Sequence, residues 1–108
     1  MAAIDAYRAG DLSQLATAVR YLLEALAERI PGHTVEVRVP PYGAVQCVPG
    51  PEHTRGTPPN LVELDAETWM AVATGALDWQ TALASSKVHV SGVRAAEIAN
   101  ALPLVRLN

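Results

Sequence analysis

The sequence predicts an α+β domain, a mainly antiparallel sheet with helices covering one face. Three observations carry this. Apolar residues recur at helical spacing between positions 12 and 30. Residues 34–39 alternate strictly between apolar and polar or charged side chains. The remaining elements run strands, two helices, a strand and a helix. That order segregates helices from strands instead of repeating a β-α-β unit.

The first helix is marked by Leu12, Leu15, Ala16, Val19, Leu22, Leu23, Leu26 and Ile30. Its polar face holds Gln14, Thr17, Arg20, Glu24 and Glu28, and Arg20 and Glu24 are spaced to pair. Asp11 or Ser13 is the expected N-cap, because a short side-chain oxygen can accept from a free backbone N–H. Pro31-Gly32 ends the helix. In the first strand Val35, Val37 and Val39 point one way and Thr34, Glu36 and Arg38 the other. Pro40-Pro41-Tyr42-Gly43 is a stiff turn into a second strand over residues 44–48, the hairpin partner of the first.

Residues 49–59 form a loop with room for a short edge strand near His53. A further strand spans residues 60–64. Asp65 then caps a helix over residues 66–74, with Gly75 as its stop. Asp78 caps a shorter helix over residues 79–85, and residues 87–91 alternate again as a fourth strand that Gly92 breaks. Ala95, Ala96, Ile98, Ala99 and Leu102 mark a last helix that Pro103 stops. No repeat or internal boundary divides the chain, so residues 1–108 read as one domain with residues 1–11 as an N-terminal extension.

Composition narrows the function. A chain of 108 residues, half of them hydrophobic, supports one core, built from Leu, Val, Ile and Ala because Phe is absent. The formal net charge is −3 and the eight Lys and Arg are scattered. That argues against nucleic acid, which calls for a basic patch, and against electrostatic docking on an anionic membrane. No stretch approaches the about 18 apolar residues of a membrane span. Asp5 and Arg8 interrupt any signal-peptide-like run at the start. A single cysteine, Cys47, permits no internal disulfide. The expected compartment is the cytoplasm.

No catalytic or metal motif is complete, and no cofactor fingerprint is present. His33, His53 and His89 lack metal-ligand spacing, and His33 and His89 read as solvated. Cys47 shares its strand face with Val45 and reads as a small buried hydrophobe. Asp65 and Asp78 are explained as helix caps. Trp69, Met70, Ala73 and Leu77 make an apolar stripe, which by spacing alone reads as ordinary core.

The second half carries a resemblance. Asp65-Ala66-Glu67-Thr68-Trp69-Met70, then Gly75-Ala76-Leu77-Asp78-Trp79, Ala82, Lys87-Val88-His89-Val90-Ser91-Gly92 and Leu102 resemble the sterol carrier protein-like family. Residues 39–47 with Arg55-Gly56-Thr57-Pro58-Pro59-Asn60 resemble its short, free-standing bacterial, actinobacterial branch. The C-terminal domain of mycothiol-dependent maleylpyruvate isomerases is similar over the same stretch. The resemblance implies a twisted sheet of four to five strands with helices on one face and an apolar tunnel between them. It implies a non-enzymatic carrier for a fatty acyl or sterol-like ligand, with Trp69, Met70, Ala73, Leu77 and Leu102 as lining. The isomerase relatives imply the alternative, an accessory domain with a closed core, a protein partner and no small-molecule ligand.

Six of the eight prolines lie between Pro40 and Pro59, which stiffens that segment as a candidate rim. Its exposed polar groups are expected to be Tyr42, His53, Arg55 and Asn60. Arg55 beside Gly56 suits a carboxylate or phosphate, since guanidinium offers a planar fork. As a plain connector, the same segment leaves Arg55 solvated or paired with Glu52.

Overall fold

A computed structural model describes residues 1–51 and 59–106. β1 (Val35–Val39) and β3 (Asn60–Leu64) form the centre of the sheet, flanked by β2 (Gly43–Cys47) beside β1 and β4 (Val88–Ser91) beside β3. The outer pairings are antiparallel, Val37 opposite Val45 and Val62 opposite Val90. The central pairing is parallel, Val37 opposite Val62. The sheet is therefore mixed, antiparallel in two of its three pairings. The chain between the members of the parallel pair passes through the β1–β2 hairpin, and among the described residues no helix lies between β1 and β3. This is the segregated α+β architecture that the element order predicts. The edge strand expected near His53 lies outside the described residues.

Five further elements surround the sheet: α1 (Ala2–Arg8), α2 (Leu15–Arg29), α3 (Ala66–Thr74), α4 (Trp79–Ala84) and a 3₁₀ turn (Ala95–Ala101). One core joins them. α2 contributes Val19, Leu22, Leu23 and Leu26, the sheet Val35, Val37, Val39 and Val62, and α3 Trp69 and Met70. The Trp69 indole N–H donates to the Val19 carbonyl at 3.3 Å and so ties α3 to α2. Alternation sends Glu36 and Arg38 to the other sheet face, where they pair with each other.

Local chemistry sets the element ends. Asp65 accepts from the Thr68 backbone N–H at 2.7 Å and Asp78 from that of Thr81 at 2.8 Å, as capping predicts. Gly75 ends α3 in the left-handed region at φ 82°, where a Cβ is costly. Between β1 and β2, the Tyr42 N–H closes a turn onto the Val39 carbonyl at 2.8 Å. Gly92, at φ 94°, follows β4, and a Cβ there would collide with the Asn60 side chain.

Several expectations are corrected. α2 begins at Leu15 with Gln14 as N-cap and no side-chain cap bond. Asp11 instead accepts from the Ser13 N–H at 2.9 Å, forming a turn before the helix, and Leu12 is left 62% exposed. Thr34 is buried with the valines because it precedes β1, its N–H held by the Cys47 and Val48 carbonyls. Asn60 is buried, its amide spent on backbone groups. The last helix is 3₁₀, and Leu102 lies just beyond it as the C-cap. The N-terminal segment is helical, with Ala3 and Ile4 buried in the core.

Truncating Leu22 or Leu26 to alanine should cost about 2–5 kcal/mol each, read by chemical denaturation, because both are fully buried. Asp65→Ala should cost about 0.5–2 kcal/mol through the lost cap.

Candidate binding cleft

α3 stops at Gly75, and the chain turns through Leu77, whose N–H reaches back to the Ala71 carbonyl at 3.2 Å. Asp78 then starts α4 and places Trp79 against the core. The segment after the 3₁₀ turn returns to the same corner. There the Leu104 and Val105 N–H groups both donate to the Ala73 carbonyl, at 2.8 and 3.1 Å. Ala73 belongs to the last turn of α3, where carbonyls lack helical partners.

These connections shape a cleft of about 250 Å³ walled by Val72, Leu77, Trp79, Leu102 and Pro103, with Asp78 and Arg106 among its lining residues. The Trp79 indole N–H is buried and has no acceptor among the described residues. A buried donor without a partner costs about 1–3 kcal/mol. The Asp78 carboxylate is engaged by the Thr81 N–H and hydroxyl, at 2.8 and 2.9 Å, so the apolar wall and the Arg106 guanidinium together suit an amphiphile with an oxygen-bearing head.

The residues expected to line a site do not all come together. Leu77 and Leu102 meet at this cleft. Trp69, Met70 and Ala73 are 0% exposed and sit inside the core, behind it. Tyr42 lies in the β1–β2 turn, half-buried against the core, and is not among the cleft's lining residues. Arg55, with His53, lies outside the described residues. Sequence reasoning missed Trp79 and Arg106 as cleft residues. Both tryptophans follow capping aspartates, and nothing local separates the one that fills the core from the one that meets a cleft.

A larger depression, about 410 Å³, opens where β3 and β4 meet α3, and its walls are different in kind. Glu63, Asp65, Lys87 and His89 surround it, a charged lining unsuited to an apolar chain.

The reactive groups are quiet. Cys47 is buried, and burial pushes its thiol from the ordinary 9.0 up to about 11, the reverse of an activated nucleophile. His33 Nδ1 lies 2.9 Å from Gln46 Oε1 and is exposed. Among the described residues no three His, Cys, Asp or Glu side chains are grouped to hold a metal ion. No helix among them is long and apolar enough to cross a membrane.

A small mixed sheet with helices packed on it, and a cleft between helix ends, defines a sterol carrier-like α+β domain. The chain belongs to the bacterial sterol carrier protein family: the model described as "Bacterial SCP ortholog" matches residues 11–104. No curated protein matches the chain. The family name is that of a carrier, and it fits a binding domain better than a catalytic one.

The thiol shift yields a test of the core. An unfolded thiol ionises near 9.0, but the folded one holds its proton to about 11. The Cys47 contribution is therefore intact below the unfolded value and is lost as pH rises through the folded one. Denaturation midpoints of the native chain should fall across that window more steeply than those of Cys47→Ala.

Proposed function

We propose that this domain binds a short acyl ligand, or an acyl-like amphiphile, in the cleft between α3, α4 and the C-terminal segment, and carries it without chemical change. The carrying observation is the convergence of Leu77 and Leu102 with Trp79 and Arg106 on one cleft. The acyl chain would lie on Leu77, Trp79, Leu102 and Pro103, and the carboxylate would take Arg106. Removing apolar area from water drives such binding at about 25 cal/mol per Å², before ordering costs. The cleft is below the about 300–1,000 Å³ of typical ligand sites, which favours a short chain or only part of a long one. The acidic net charge and the lone buried Cys47 support action in the cytoplasm.

The filled interior favours a second reading, an interaction domain with no small-molecule ligand. Trp69, Met70 and Ala73 leave no space beside them that reaches solvent. Val90 is 39% exposed and Val93 99% exposed at and beyond β4, apolar groups available to a partner protein.

Tryptophan emission during titration with octanoate separates the two. Carrier function predicts a saturable change, weakened about three- to tenfold in Arg106→Ala, a modest loss because that side chain is exposed. A flat titration of the native chain would leave the interaction reading standing.

A further inference from the structure

Arg29 ends α2, far in sequence from the segment it touches. Its guanidinium donates from Nη1 to the Ala101 and Pro103 carbonyls, at 3.1 and 3.0 Å, and from Nη2 to the Leu104 carbonyl at 3.1 Å. A planar fork with five donors suits that convergence of acceptors, whereas ammonium is a point charge. The same segment is held on its other side by the two bonds to the Ala73 carbonyl. Residues 102–106 thus form a strap, pinned by α2 and by α3. Leu102, Pro103 and Arg106 of this strap are walls of the cleft.

What lies behind the strap gives the clamp its meaning. Ala73 is fully buried under it, and Trp69 and Met70 lie four and three positions earlier on α3, so they share the face of Ala73. Val72, a wall of the cleft, lies three positions after Trp69 on α3, so the cleft and the packed core stripe adjoin along that helix, and the strap is bonded to Ala73 beside them. We propose that Arg29, by pinning the strap, determines which chain lengths the domain accepts. With the clamp made, the ligand is confined to the outer cleft. With it released, the strap lifts and a longer chain reaches the Trp69–Met70 stripe. The inference rests on the acyl-binding reading and deepens it, naming a positioning residue that touches no ligand.

The test uses the full chain and its Arg29→Gln and Arg29→Lys variants, with octanoate and palmitate as probes. Amide hydrogen exchange is read at Leu104 and Val105, with Val37 and Val62 as sheet references. The expected result for Arg29→Gln is fast exchange at Leu104 and Val105 with the sheet amides still protected. Its palmitate-to-octanoate affinity ratio should rise by about tenfold or more, since each added methylene then finds apolar surface. Arg29→Lys should fall between. A merely structural arginine would lower stability and leave that ratio unmoved. The inference is overturned if the amides stay protected in Arg29→Gln, or if they are released and the ratio is unchanged. The acyl-binding reading fails separately, if the native chain gives no saturable octanoate signal. Should the native chain bind neither acid and Arg29→Gln bind palmitate, the strap stands and the outer cleft does not. Should neither protein bind either acid, both are overturned.

Discussion

The Asn60 side chain holds three parts of the sheet in register. Its Nδ2 donates to the Thr34 carbonyl at 2.9 Å, just before β1, and its Oδ1 accepts from the Arg94 backbone N–H at 3.0 Å, just after β4. Asn60 itself opens β3 and lies opposite Val35. One buried amide therefore fixes where the parallel pair begins and where the chain leaves the sheet's far side. An apolar replacement would leave the Thr34 carbonyl buried and unpaired, at about 1–3 kcal/mol, and would take its acceptor from the part-buried Arg94 N–H. The close approach of Gly92 belongs to the same constraint, since any larger residue would press on that amide. Arg94 extends it further, through its Nη2 bond to the Pro49 carbonyl at 2.9 Å and its ion pair with Glu97.

With the sheet so fixed, the helices have one face to cover, and they fill it. The bulk of Trp69 occupies space that a cavity would otherwise need, and its indole N–H is satisfied by Val19. Trp79 is the contrasting case: it is nearly as buried, its N–H is unsatisfied, and a cleft lies beside it. The difference follows from position. Trp69 is inside α3 and faces α2, whereas Trp79 opens α4 at a corner where chain ends meet. Among the described residues two buried side-chain groups are left without a partner, the Trp79 N–H at the start of α4 and the Thr34 hydroxyl just before β1, and only the first lies beside the cleft.

How much of this the sequence shows depends on how local the cause is. β3 and α3 are legible to the residue, because alternation, a capping aspartate and a stopping glycine each act within a few positions. The starting point of α2 is less legible, since Asp11 forms a competing turn and Leu12 falls off the buried stripe. α1 is not legible: seven residues hold little helical stability of their own, and Ala3 and Ile4 become core only once α2 is beside them. The parallel sense of β1 and β3 is likewise invisible, because strand direction depends on where the intervening chain goes. For the cleft, apolar spacing and family resemblance indicate Leu77 and Leu102. No pattern links position 106, or the Arg29 clamp, to them. Core and lining share one composition, so Trp69 and Met70 read alike in both roles.

β4 is one of the two outer strands of the sheet among the described residues, β2 being the other, and an outer strand offers its free backbone groups to any passing chain. Here the offer is brief. The strand has four residues, and Gly92 turns the backbone away immediately after them. A foreign strand could gain only a few bonds before losing alignment, too little to seed stacked, self-propagating growth. The apolar side chains of Val90 and Val93 therefore stay accessible to solvent without making this edge of the sheet a template for aggregates.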